Sequence, residues 1–147
     1  MRTLWGLAAI PKALRTPATE EAITRGVRFL LDSSRLIEAN YPTRDDVSAN
    51  SLWFKLNFPL FYQADILFTL RVLDELDLLD HPGAQTALDW LEQIRSQNGC
   101  WPGQSPFRQR TWHELGDREE TGRWVSLQAS RILQHAGRLP RFNNIKA

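Results

Sequence analysis

An acidic side chain on an apolar helical face is the first candidate for chemistry in this sequence. The last helical segment carries a regular apolar stripe: Val125, Ala129, Ile132, Leu133 and Ala136. When that stripe is moved back by 60 positions, Asp65 and Thr69 fall on the buried face of an earlier segment. A carboxyl group facing a dry cavity has a raised pKa and can act as an acid. The simpler interpretation, which we favour, is that Asp65 complements the dipole of the helix it begins.

Aromatic residues are concentrated near the starts of two helical segments, where their faces can bind apolar or cationic ligands. Together they would line one mouth of a cavity. The candidate ligand-binding residues are Trp53, Phe54, Phe58, Tyr62, Thr69, Trp112 and Trp124. For any single ring, ordinary packing of a long loop over helix ends is the favoured alternative.

The sequence gives little basis for a metal centre. Cys100 is the single cysteine, which excludes an internal disulfide and suits a reducing, cytoplasmic compartment. His81, His113 and His135 have no metal-ligand spacing to it. We therefore expect no metal site and no cofactor.

Charge and hydropathy exclude two classes of partner. Eighteen basic residues stand against seventeen acidic ones, a formal net charge of +1, so neither nucleic acid nor an anionic membrane is predicted to bind. No stretch approaches the roughly twenty apolar residues that cross a bilayer. The apolar run 4–10 has no convincing cleavage site after it, so we expect a cytoplasmic chain without a signal peptide or transmembrane segment.

Helical periodicity accounts for most of the chain. The helical segments are 19–35, 62–79, 83–97 and 123–137. No segment alternates with period two, so the predicted fold class is all-α. The second segment is apolar over so much of its circumference that neighbours must surround it. Thr19 is the predicted start of the first helix, and Gly137 is predicted to end the last one in the left-handed conformation.

Two pairs of segments share one internal period. Phe29-Leu30 and Trp90-Leu91 occupy equivalent places 61 residues apart. At an offset of 60, Leu67, Arg71, Val72 and Leu73 superpose on Leu127, Arg131, Ile132 and Leu133. The run 3–10 takes the place of a third such segment. The sequence therefore predicts a single domain over 1–147, with repeats of approximately 1–61, 62–122 and 123–147.

The motif residues of these repeats resemble a known family. The first copy reads Arg25-Gly26-Val27-Arg28-Phe29-Leu30, and the second reads Ala87-Leu88-Asp89-Trp90-Leu91 with Gly99-Cys100-Trp101. This pattern is similar to the QW motif of the prenyltransferase and squalene-cyclase (terpenoid cyclase) repeat family. More broadly, the segments 51–73 and 123–133 resemble the C-terminal repeats of uncharacterised bacterial members of this family. The structural motif residues are Phe29, Leu30, Trp90, Leu91, Gly99 and Trp101. The chain departs from the family at Ser34 and Arg95, where glutamine is expected, and the first copy lacks Gly-x-Trp.

The resemblance implies a partial α/α toroid of about two and a half helix hairpins. In that fold 62–79 and 123–137 lie side by side and parallel, 20–36 and 83–97 lie outside, and Trp90 and Trp101 are buried close together. An arc exposes faces that a closed ring covers, so a homo-oligomer, a partner chain completing the toroid, or a truncated product of a longer protein is implied.

The implied activity has two alternatives. Asp45-Asp46 and Asp77-Leu78-Leu79-Asp80 do not fit the acidic motif of the family's cyclases, and Cys100 does not fit the zinc site of its prenyltransferases. We therefore favour a non-catalytic or incomplete module that binds an apolar ligand or a partner chain. The alternative is part of an isoprenoid cyclase or prenyltransferase-like enzyme acting on terpenoid substrates.

Overall fold

A computed structural model describes residues 1–32, 35–38, 51–60, 63–104 and 117–140. The helices are α1 (Arg2–Ala8), α2 (Pro17–Leu31), α3 (Arg35–Glu38), α4 (Ile66–Glu75), α5 (Pro82–Gln93) and α6 (Arg118–His135), with short 3₁₀ turns at Lys12–Leu14 and Ser51–Phe54. Within these ranges the only extended pairing is an isolated bridge between Asn57 and Gln104. The predicted all-α class is confirmed.

Polar caps set where two helices begin. The hydroxyl of Thr16 accepts a hydrogen bond from the amide of Thr19 at 3.2 Å, and Pro17 occupies the first turn of α2. The predicted start at Thr19 was therefore wrong, because proline at the first helical position already has a suitable φ and needs no amide partner. Asp117 caps α6 in the same way, so this helix begins at Arg118 and not at 123.

Left-handed residues end two helices. Gly137 has φ +71, and the amide of Arg138 bonds the carbonyl of Leu133 at 2.8 Å, which confirms the predicted stop. Asp77 has φ +58 and ends α4 in the same way, since the amide of Leu78 donates to the carbonyl of Leu73 at 2.9 Å. The prediction that this helix continues to 79 was wrong, since the apolar pattern continues through a turn that changes the chain direction.

Helix α4 is the centre of the core. Seven of its ten residues are buried, namely Ile66, Leu67, Phe68, Thr69, Leu70, Val72 and Leu73. It contacts α1, α5 and α6. The broad apolar circumference predicted for this segment is thus covered by helices on several sides.

Helices α1, α4 and α6 form one layer and run in the same direction. The guanidinium of Arg2 bonds the carbonyl of Gln63 at 2.9 Å just before α4, and Trp5 packs edge-on against Phe68 further along, with ring centroids 5.5 Å apart. At the other side of α4, Nδ1 of His135 lies 2.8 Å from the carboxylate of Asp74, so the C-terminal ends of α4 and α6 meet. Helix α2 packs on α1, and α5 packs on α3 and α4.

Trp101 joins the connection after α5 to two helices. Its side chain is buried, its indole N–H donates to the carbonyl of Leu91 at 2.7 Å, and its amide donates to the hydroxyl of Ser126 at 2.9 Å. Trp90 is only partly buried, and its ring packs against Phe54. Trp101 is buried as predicted, whereas Trp90, which flanks the buried stripe of α5, is buried in part and packs against the core.

We expect Trp101→Ala to lower the free energy of unfolding by about 3–5 kcal/mol, as for other truncations of buried aromatic residues. Chemical denaturation followed by circular dichroism measures the loss. Leu14→Ala is the control, since this side chain is 71% exposed and its truncation should cost clearly less. A loss below about 1 kcal/mol for Trp101→Ala would show the indole to be peripheral.

Candidate functional site

Asp65 is buried and caps the N-terminus of α4. One carboxylate oxygen accepts a hydrogen bond from the amide of Phe68 at 2.8 Å, and the other accepts from the amide of Asn57 at 2.8 Å. The hydroxyl of Thr69 donates to the Asp65 carbonyl at 3.0 Å. Both side chains face the interior, as the offset of 60 predicts, and the carboxylate has the structural role that we favoured.

Burial dominates the electrostatics of this carboxyl group. Desolvation raises the pKa of Asp65 from 3.8 to about 6, although the hydrogen bonds from Phe68 and Asn57 lower it by a smaller amount. At neutral pH the group is ionised and both of its oxygens accept backbone amides. The arrangement suits fixing a loop to a helix end, because Asp65 is 1% exposed and each of its carboxylate oxygens accepts a backbone amide.

Three segments meet at this cap, and we refer to the group formed by Asn57, Asp65, Gln104 and Thr121 as the Asp65 junction. The amide of Gln104 donates to the carbonyl of Leu56 at 2.8 Å. The Thr121 hydroxyl lies 3.5 Å from the carbonyl of Phe58 and 2.6 Å from that of Asp117. The junction therefore holds the start of α6 beside the start of α4.

Asn57 is buried within the junction. Its side-chain amide donates to the carbonyl of Lys55, while its Oδ1 atom is buried and has no hydrogen-bond partner among the described residues. Apolar periodicity does not single out Asn57, Gln104 or Thr121. The usable signal was the Asn-Phe-Pro order at 57–59, since asparagine and proline mark turns that place polar groups against backbone.

A close backbone contact completes this region. A Cβ atom on Gly103 would lie 2.6 Å from the amide nitrogen of Gly122, so only glycine allows the two chain segments to approach. Beside this contact lies an open groove of about 1080 Å³ whose charged rim includes Lys55, Arg118, Glu119 and Arg123. Arg123 is paired with Glu119 at 2.5 Å, which leaves the rim of mixed charge.

The predicted aromatic residues are divided among separate neighbours. Phe58 stacks on Trp124, with centroids 5.2 Å apart, and Phe54 packs edge-on against Trp90 at 5.8 Å. The indole of Trp53 donates to the carbonyl of Leu36 at 2.7 Å. Phe58 thus contacts α6, Phe54 contacts α5 and Trp53 contacts α3. These rings pack over separate helices, which is the ordinary packing that we favoured over one shared cavity mouth. Tyr62 and Trp112 lie outside the described residues.

The family-motif residues also differ in their environments. Leu30 and Leu91 are buried at their equivalent positions, whereas Phe29 is half exposed and Trp90 is partly buried. Gly99 has φ +83, a conformation that side chains disfavour, and it turns the chain from α5 towards Trp101. The two leucines at the predicted equivalent positions therefore share a buried environment, whereas the two aromatic residues are both partly exposed.

The described residues contain no group of three or more histidine, cysteine, aspartate or glutamate side chains arranged to hold a metal ion. Within the same ranges, no helix combines the length and apolarity needed to cross a membrane. No protein-family model, curated protein or solved structure matches this chain.

Asp65 should make stability depend on pH. Because its folded-state pKa of about 6 lies above the ordinary value of 3.8, the folded chain holds this proton more tightly than the unfolded chain. The stabilisation is full below about pH 4, and roughly 3 kcal/mol of it is lost as pH rises to about 6. Denaturation of the wild type and of Asp65→Asn across pH 4–7 measures the difference between them. An equal pH dependence of both proteins would contradict this assignment.

The Gly103 contact gives a second expectation. Gly103→Ala should lower the free energy of unfolding by about 1–3 kcal/mol, because the new methyl group clashes with backbone that cannot rotate away. Gly6→Ala is the control: Gly6 lies within α1 with open space around it, and alanine there should stabilise by up to about 1 kcal/mol. Thermal unfolding of both variants gives the sign of the change in stability directly. Equal changes for the two variants would refute the steric explanation.

Proposed function

We propose that this chain is an arc of an α/α toroid that acts as a binding module, and that its partner is a second copy of itself. The supporting observation is a stripe of exposed side chains along α6, formed by Glu120, Trp124, Leu127 and Arg131. We call it the α6 stripe. The spacing 0, 4, 7 and 11 places all four on one helical face.

The apolar centre of the stripe is unusual for a solvated surface. Leu127 is 61% exposed, whereas Leu67, its equivalent at the offset of 60, is 2% exposed in the middle of the layer formed by α1, α4 and α6. Leu127 is thus of a residue type that usually lies in a core, but no element among the described residues covers it. A further helix docked there would bury Leu127 as the helices around α4 bury Leu67.

The ends of the stripe favour a second copy as the occupant. Glu120 lies at one end, where it pairs with Arg123 of the same helix at 2.8 Å, and Arg131 lies at the other end, where it forms no ion pair within the described residues. If two α6 helices pair antiparallel across a twofold axis, Glu120 of each meets Arg131 of the other, and Trp124 meets Leu127. One self-complementary patch then serves both copies, as twofold symmetry requires. The antiparallel helix dipoles add to the attraction.

The engagement of Asp65 supports binding over isoprenoid chemistry. An acid catalyst needs a proton donor directed at its substrate. In this chain both oxygens of the buried carboxylate accept backbone amides at 2.8 Å. The resemblance to terpenoid cyclases therefore supports the repeat architecture and gives less support to their reaction.

Sedimentation across a wide concentration range tests the dimer. We expect Leu127→Gln to weaken association about tenfold or more, because each copy loses a buried leucine from the interface. Leu14→Gln is the matched control, since Leu14 is also strongly exposed but lies in the Lys12–Leu14 turn. It should leave association unchanged.

Charge reversal separates this pairing from other modes of association. Glu120→Arg and Arg131→Glu should each weaken the dimer, because like charges then face each other across the interface, and the double variant should restore it. A wild-type chain that stays monomeric at every concentration would refute self-association. A dimer whose affinity is unchanged by Leu127→Gln, Glu120→Arg and Arg131→Glu would place the interface elsewhere.

A further inference from the structure

A second surface feature lies on the α2 side of the molecule. A cavity of about 400 Å³ opens between α2, the Lys12–Leu14 turn and the connection from α4 to α5. Its apolar lining includes Ile23 and Val27 from α2 and Leu76 and Leu78 from the connection. A cavity of this size falls within the range that holds small molecules. It shares no residue with the Asp65 junction or the α6 stripe.

One charged residue at the rim is fixed by the fold. The guanidinium of Arg15 donates to the carbonyls of Ile10 at 2.9 Å and Ala8 at 3.1 Å, and it lies 3.7 Å from the carboxylate of Glu20. Because its side chain is largely buried and its charge is matched by Glu20, this pair shapes the cavity wall without adding net charge.

The other charges at the rim leave an excess of positive charge. Lys12 and Arg28 are exposed and form no ion pair within the described residues. Asp32 is the one unpaired carboxylate among the lining residues. His81 accepts a hydrogen bond from the amide of Gly83 through Nδ1 at 3.1 Å. Two unpaired cations, Lys12 and Arg28, and one unpaired anion, Asp32, therefore border the cavity. Its apolar floor is formed by Val27, Leu76 and Leu78.

We propose that this cavity binds a small amphipathic carboxylate. The apolar body of the ligand packs on Val27 and the two leucines, and its carboxylate pairs with Lys12 and Arg28. Arginine provides paired N–H donors that match a carboxylate, and lysine adds a mobile point charge. Asp32 opposes the anion and limits its affinity, so its removal strengthens binding.

Calorimetric titration of the full chain with decanoate, at concentrations below those at which it forms micelles, tests the proposal. Decylamine is the probe of equal length and opposite charge. Decanoate should bind one molecule per chain at least about tenfold more tightly than decylamine. The double variant Lys12→Gln/Arg28→Gln should weaken decanoate binding about tenfold, and Asp32→Asn should strengthen it.

The controls separate a site from general surface charge. Arg25→Gln/Lys55→Gln removes the same charge outside the cavity and should leave decanoate binding unchanged. The proposal is overturned if decanoate does not bind, if decylamine binds equally well, or if the control weakens binding as much as the double variant. It is also overturned if the double variant, shown to be folded by circular dichroism, binds decanoate like the wild type.

Discussion

The hydrogen bonds at the start of α4 are the constraint on which the described fold depends. A helix that is apolar on most sides must be enclosed, and its first amides are then cut off from water. The Asp65 carboxylate satisfies one of them, at Phe68, and uses its second oxygen to hold the amide of Asn57. Enclosing α4 thus requires a buried hydrogen-bond acceptor at its start, and the carboxyl group that provides it also fixes the preceding loop. The positions of Gln104 and Thr121 follow, since both segments bond backbone beside Asn57.

The sequence predicts the apolar part of this arrangement well. The broad circumference of the segment around Leu70 and the narrower stripes of its neighbours follow from helical spacing alone, and so does the inward placement of Asp65 and Thr69. These features reflect burial, which depends on residue type at a fixed period. Helix ends were predicted less well, because Thr16 and Asp77 act through local backbone geometry that apolar periodicity does not report.

The polar junction could not be predicted from periodicity for a different reason. Asn57, Gln104 and Thr121 are far apart in the chain, and each is an ordinary polar residue in a connection or a first helical turn. Their proximity results from the close approach of Gly103 to Gly122, which only the folded backbone reveals. The aromatic residues show the opposite case, because they are close together in the sequence but lie against separate helices. Their number suggested one shared mouth, but Trp53, Phe54 and Phe58 pack on three different helices because each ring covers the nearest apolar surface.

The location of the two proposed binding surfaces follows from the same packing. Helix α4 is enclosed, so its side chains are committed to the core, and binding must use elements at the borders of the layer. On one border, α6 covers α4 with one face and leaves Trp124 and Leu127 exposed on another. On the other, α2 meets the turn after α4, and the left-handed Asp77 directs Leu76 and Leu78 towards Val27 to form an apolar floor. Because α4 separates these borders and neither surface uses the Asp65 cap, a substitution at one surface leaves the packing that supports the other intact.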